Sequence, residues 1–224
     1  MKKQKLKSSR YKFKTIFALI LIGATLIYFI FIGISIFKSK SDDINYSGIE
    51  IKTNSDTSIY VDNQKIGEAF PSESFINTKI DSGQKKIKLT KNSDTSINYE
   101  RDIIFEKGTQ VTIEWNFGVT SETSSGIVKY FVKKIESDNK IRIITSVSNC
   151  IILVDGSTNS SGIIPSDGQQ HKIEISKDGY LSKSLTVTLV NNQIISDQIS
   201  QSDKNKYDQY DLVVEISLFQ IPFV

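Results

Sequence analysis

Thr109-Gln110-Val111-Thr112-Ile113-Glu114-Trp115-Asn116-Phe117 alternates polar and apolar side chains from its second residue to its last. Successive side chains of a pleated strand point to opposite faces, so Val111, Ile113, Trp115 and Phe117 share one face while Gln110, Thr112, Glu114 and Asn116 share the other. A helix would scatter the same apolar residues around its circumference; the stretch therefore reads as a strand with one buried face. Leu185, Val187 and Leu189 alternate with Thr186 and Thr188 in the same way, and Leu212, Val214, Ile216 and Leu218 alternate with Val213, Glu215 and Ser217. Ile127 to Ile135 fits either period and is assigned to strand because it is short and partly β-branched.

Turn chemistry lies between these runs. Asp62-Asn63, Lys107-Gly108, Asp155-Gly156 and Asn191-Asn192 each contain a residue that tolerates positive φ, as tight hairpins require. Pro71 and Pro165 are expected between strands, where a missing amide donor is harmless. Many short strands separated by turns predict an all-β fold, with sandwiches favoured over a βαβ arrangement.

The strands recur. Ile49 to Thr53 answers Ile141 to Thr145, Ile59 to Asn63 answers Ile152 to Gly156, Pro71 answers Pro165, and Lys86 to Lys91 answers Lys172 to Lys177. Each copy is expected to continue into a hairpin, over 98–117 and 183–218. Two tandem small β-sandwiches of about 80 to 90 residues account for this repetition.

In the second copy a strand leads to Val154-Asp155-Gly156, then Gly162-Ile163-Ile164-Pro165, then a strand ending in Lys177-Asp178-Gly179-Tyr180. That order resembles the PEGA domain, a small extracytoplasmic β-sandwich with a transthyretin-like arrangement found in bacterial and archaeal surface proteins. The resemblance covers about 80 residues of the second copy. In the first copy, Asp62-Asn63 replaces the Asp-Gly turn and Ser93-Asp94 stands where Gly-Tyr is expected. The resemblance implies Asp155, Gly156, Pro165, Gly179 and Tyr180 as structural residues, with the Tyr180 ring packed over the end of its sandwich; it implies no catalytic residue.

The N-terminus has a different character. Residues 15–37, TIFALILIGATLIYFIFIGISIF, are uncharged and long enough at about 1.5 Å per residue to cross a hydrocarbon core of about 30 Å. Seven Lys and Arg precede this segment and two lysines follow it, which places the N-terminus in the cytoplasm. A cleaved signal peptide has a shorter apolar region, of about 7 to 15 residues, so the segment reads as an uncleaved signal-anchor. The first 40 residues carry nine basic side chains and no acid, leaving 19 basic against 25 acidic beyond them. The basic whole-chain balance is thus a topology signal, and a mildly acidic remainder lacks the clustered cationic face that nucleic-acid binding needs.

The expected organisation is a cytoplasmic tail (1–14), a transmembrane helix (15–37), a linker (38–47), a divergent PEGA-like sandwich (48–135), a second one (136–220) and a C-terminal tail (221–224).

Reactive side chains are few. One Cys and one His allow neither an internal disulfide nor a Cys/His metal cluster. Cys150 opens an apolar run and reads as a small buried hydrophobe. Asp62 and Asp155 read as turn-formers. His171 shares a pleat face with Ile173 and Ile175, with no acid adjacent in sequence. The polar run Asp197 to Asp211 reads as a long loop, and Tyr207 and Tyr210 are its candidate contact residues. Two glycosylation sequons, at Asn45 and Asn159, are of the kind an Asn/Ser-rich chain supplies by chance. No GxxxxGK[ST], GxSxG, HExxH or GxGxxG pattern occurs.

Catalytic, cofactor and metal sites are therefore expected to be absent. The chain reads as a non-enzymatic, single-pass plasma-membrane protein with its C-terminal domains extracytoplasmic. Its expected partner is another envelope protein or a surface polysaccharide. Alternatives are a structural spacer, a sensory or scaffold subunit, and, least favoured, a cell-wall glycan hydrolase.

Overall fold

A computed structural model of the protein describes residues 46–135, 139–165, 169–188 and 209–222. These residues are all β. The first set of strands is β1 (Tyr46–Thr53), β2 (Thr57–Val61), β3 (Gln64–Ala69), β4 (Phe75–Asp81), β5 (Gly83–Lys91), β6 (Asn98–Phe105) and β7 (Gln110–Asn116), followed by β8 (Ser125–Lys133). The second set is β9 (Lys140–Thr145), β10 (Ile151–Val154), β11 (Ser157–Thr158), β12 (Ile163–Pro165), β13 (Gln170–Ser176), β14 (Lys183–Thr188) and β15 (Tyr210–Ser217). Among the described residues no helix is long and apolar enough to cross a membrane; the predicted tail and span lie outside them, as do Leu189 and Asn191-Asn192.

Three sheets form. One has seven strands in the order β12-β9-β15-β8-β7-β1-β4, and two have four strands, ordered β3-β2-β5-β6 and β11-β10-β13-β14. The orders match strand for strand, with β1 to β7 answering β9 to β15. The directions match too: β1 is antiparallel to β4 and parallel to β7, and β9 is antiparallel to β12 and parallel to β15. Ile49 pairs with Val111 as Ile141 pairs with Leu212, so Glu114 answers Glu215 and Trp115 answers Ile216.

β8 has no counterpart. It runs antiparallel to both β7 and β15 and joins the two sets into one sheet, so that the large sheet passes through the boundary placed at 135/136. Its Val128 and Tyr130 belong to the first core, and its Ile127 and Phe131 to the second. Adjacent strand residues face opposite ways, so the four-stranded sheets cover opposite faces of the large one. A pseudo-twofold rotation about an axis along β8 relates the halves, because that operation exchanges sides and faces while keeping strand direction. The absence of a clean period in Ile127 to Ile135 now has its cause: both faces of this strand are buried. Asn45–Val224 accordingly clusters as one compact unit.

The first core gathers Ile49, Ile51, Ile59, Ile87, Leu89, Ile113 and Trp115, and the second Ile141, Ile164, Ile173, Ile175, Val187, Val214 and Ile216. Each such aliphatic side chain stabilises the fold by about 1.5–3 kcal/mol through burial. Trp115 lies directly across from Gly126 in the β7 to β8 ladder, and a Cβ on Gly126 would come within 2.2 Å of the indole Cε3. The missing side chain is therefore the space the indole occupies.

Several expectations need correction. The segments 98–117 and 183–218 are not hairpins: β6 and β14 lie in the four-stranded sheets while β7 and β15 lie in the large one, so the chain crosses between layers. Pro165 is not between strands but ends β12, opposite Lys140, on an outer edge of the large sheet, where its lack of an N–H does no harm. Pro71 is not its counterpart, since Ile164 answers Asn77 in the strand pairing. The Asp62-Asn63 and Asp155-Gly156 hairpin turns behave as read, with positive φ at all four residues, whereas Gly108 takes its positive φ at the crossing from β6 to β7 and not in a hairpin.

Candidate functional site

The aspartate turns are the most faithfully repeated polar feature. The Asp62 carboxylate accepts the Lys86 N–H at 2.9 Å and pairs with Lys85 Nζ at 3.1 Å. The Asp155 carboxylate accepts the Lys172 N–H at 2.8 Å and meets His171 Nδ1 at 2.7 Å. Each closes its β-turn onto the adjacent strand, the role assigned to both from sequence. The acid that sequence proximity denied to His171 thus arrives across the sheet. Its imidazole, followed by the Lys172 N–H, holds the Asp155 carboxyl below the ordinary carboxylate range; for Asp62 the Lys86 N–H is the main cause.

Gly179 takes positive φ, and the half-buried Tyr180 ring packs against the second core with Lys177 Nζ 5.7 Å from its centroid. A bridge from Tyr180 to Gln220 ties this turn to the chain beyond β15. Tyr207 lies outside the described residues. Tyr210 is the first residue of β15, is 5% exposed and belongs to the second core, so its ring is withdrawn from any contact surface. Cys150 is half-buried against the same core, its thiol donating to the Val147 carbonyl at 3.1 Å. The Asn159 carboxamide is engaged in its own turn, accepting the Gly162 N–H at 3.0 Å.

The turns thus account for the sequence-predicted residues without bringing them together at one place. The residues that do converge are others. Among the described residues, each four-stranded sheet covers only part of the large sheet, leaving a stretch of one face uncovered beside its last strand. Next to β14 this leaves a cleft of about 260 Å³ lined by Glu50, Gln110, Thr112, Lys129, Phe131, Thr186, Val187 and Leu212. Glu50 and Thr112 stand on β1 and β7, on the faces opposite Ile49 and Val111. Lys129 stands on β8, across from Thr112. Gln110 Nε2 donates to Glu50 Oε2 at 3.2 Å, and Lys52 Nζ pairs with Glu50 Oε1 at 3.0 Å. Farther along β14, partial burial lowers the Lys183 ammonium below its ordinary range, against the pull of Glu114.

The pseudo-twofold axis places the counterpart beside β6, where it is closed. Arg142 and Asp211, at the positions of Glu50 and Gln110, form an ion pair at 2.9 Å with Asp211 1% exposed. Arg101 reaches from β6 to Glu215 at 3.1 Å, and the Tyr130 hydroxyl donates to the same carboxylate at 2.8 Å. Burial and then the Glu215 contact push the Tyr130 phenol upward; burial pushes Tyr99 upward. Sequence reading passed over the open cleft because its floor is the polar row of the strand quoted at the outset, which reads as an ordinary solvent face. The one available signal was the repeat itself, in which Arg142 stands at the position of Glu50 and Asp211 at that of Gln110.

Among the described residues no group of three or more His, Cys, Asp or Glu is placed to hold a metal ion. No family model matches the chain, and no curated protein matches it either. The described residues thus form an all-β body of duplicated strand modules, with a lateral cleft beside β14 and ion-paired side chains at the equivalent place beside β6.

Proposed function

We propose that the chain is a single-pass cell-envelope protein whose tandem PEGA-like sandwiches are held outside the membrane and bind another envelope component without catalysis. The observation that carries this reading is the strand-for-strand duplication around β8. With both inner faces given to cores, the surfaces left for recognition are loops, edge strands and the cleft beside β14. The likeness to PEGA domains is supported by the Asp155-Gly156 turn and by the packed Tyr180 after Gly179. The anchor and its orientation rest on the uncharged segment 15–37 and its basic flank.

The test uses the full chain with a C-terminal epitope in bacterial cells. The expected result is carbonate-resistant membrane association, loss of the epitope when protease reaches the outer membrane face of spheroplasts, and a discrete product on cross-linking intact cells. A carbonate-extractable chain or a protected epitope overturns the topology. Correct topology with no cross-linked product overturns binding and leaves the spacer.

A further inference from the structure

We propose that residues 194–200, in the stretch of chain between β14 and β15, add to the edge of β14 as a fifth strand of its sheet and occupy the cleft beside it. The inference goes beyond the binding reading: it gives the cleft to this chain itself, so that a partner would meet the outer side of the added strand.

The sheet edges single out β14. Among the described residues the three sheets end in six edge strands, and five of them carry a device that discourages a further strand. β11 is two residues long, and β12 is three and ends in Pro165. β3 pairs with β2 across a register shift, as β4 does with β1, and the Asn77 carboxamide accepts the Lys79 N–H of β4 at 2.9 Å. β6 carries Glu100, Arg101 and Asp102 in a row, and Arg101 closes its own side by reaching Glu215. β14 has none of these features. It pairs with β13 in unbroken register, contains no proline, and has Leu185 where β6 has Arg101, flanked by the exposed Ser184 and Thr186.

The chain that follows β14 has the length and the pattern of an occupant. It crosses from β6 to β7 in residues 106–109 but from β14 to β15 in residues 189–209. Both ends of the longer stretch adjoin the cleft, since Thr186 and Val187 precede it, Leu212 follows it, and all three line the opening. Within it, Ile195, Asp197 and Ile199 alternate with Ser196, Gln198 and Ser200. A three-residue turn at Asn191-Asn192-Gln193 sets Asp197 opposite Val187, Gln198 opposite Thr186 and Ile199 opposite Leu185. Opposed residues share a face, so Ile195, Asp197 and Ile199 turn toward the large sheet and the three polar residues toward solvent. A two-residue turn would slip the pairing by one and put the isoleucines outside. In the favoured register Asp197 comes to the side of Lys129, which lines the cleft with Val187 and has no hydrogen bond or ion pair among the described residues. Residues 200–209 then reach roughly 30 Å at about 3.3 Å per residue, enough to return along the roughly 20 Å of β14.

The test uses the full chain in detergent, with Cys150→Ser to remove the native thiol. Opposed Cα atoms of antiparallel strands lie about 4.5–5.5 Å apart, within disulfide reach. Thr186→Cys with Gln198→Cys is expected to oxidise at least about tenfold faster than Thr186→Cys with Asp197→Cys, the pair that a two-residue turn would oppose. Hydrogen exchange of the unaltered chain needs no variant to fold. Residues 194–200 should exchange at least about a hundredfold more slowly than an unstructured chain, and Asp197→Lys should remove at least about tenfold of that protection. Equal oxidation of the two pairs or exchange of 194–200 at the unstructured rate overturns the proposal. So does protection of β14 that grows with protein concentration, the mark of a second copy on that edge. Each result is read on the isolated chain, so the proposal and the envelope-binding reading fail separately.

Discussion

Replacing Ile216 by alanine tests whether the two halves are one thermodynamic body. Ile216 is fully buried in the second core and pairs across β15 with Ile127 and Thr145. Removing most of such a side chain costs about 2–5 kcal/mol, and a value near 3 suits a site walled by rigid strands. The chain has a single tryptophan, Trp115, buried in the first core. It lies two strands away, at roughly 10 Å by ordinary strand spacing, with its ring on the opposite face of the sheet. Its fluorescence therefore reports unfolding of the half that was not altered. If β8 makes the halves cooperative, the Trp115 transition in urea must carry the whole loss. With a slope of about 2–3 kcal/mol per molar, the midpoint falls by about 1–1.5 M, and far-UV circular dichroism falls with it. A fluorescence midpoint that stays put while the circular dichroism transition splits in two would show that the halves unfold independently.

Gly126→Ala should destabilise the fold by about 1–3 kcal/mol and red-shift the tryptophan emission, since the new Cβ meets the indole at 2.2 Å and the Glu114 carbonyl at 2.6 Å; an unchanged emission maximum refutes the packing. Tyr99 and Tyr130 have phenols raised above their ordinary value of 10.0, so the unfolded chain ionises first as pH climbs past about 10. Their contribution is complete below that pH and declines by up to about 1.4 kcal/mol per group per pH unit above it, and Tyr99→Phe should flatten the decline in alkaline urea titrations. The same variant should match or exceed wild-type stability at neutral pH, because the Tyr99 hydroxyl is buried without a partner. Asp155 is depressed chiefly by His171, so its stabilising contribution is present at neutral pH and disappears as acid protonates it. His171→Ala should move the Asp155 carboxyl titration, followed by ¹³C NMR, back toward the ordinary range; an unmoved midpoint removes the pair from the account.

Strand identity was legible where one face alone is buried, as in Val111 to Phe117, because the period then survives in the sequence. β8 was ambiguous for the opposite reason: Ile127 and Phe131 serve one core and Val128 and Tyr130 the other, which erases the alternation. The duplication could be read from Ile59-Tyr60-Val61-Asp62 and Ile152-Leu153-Val154-Asp155. The layer crossings between β6 and β7 and between β14 and β15 could not, since a turn and an arch use the same polar residues. Pairings between distant strands were equally hidden, and with them the meeting of His171 and Asp155, 16 residues apart, and the burial of Tyr210. The cleft escaped because polarity on a strand marks only the absence of a covering layer. Whether the uncovered face is open or clamped depends on side chains such as Arg101 and Leu185 from a different sheet.

Strand direction has a mechanical consequence. β1, β7 and β15 all run the same way, so the chain enters the large sheet at the start of β1 and leaves it at the far end of β15. Tension between a membrane tether and the C-terminus would pull along the strands in opposite senses, shearing the ladders instead of peeling them. Six aligned residue pairs between β1 and β7, five between β7 and β8 and eight between β8 and β15 would share the load. Rupture would require them to slip together, so the sheet would resist extension far better along its strands than across them.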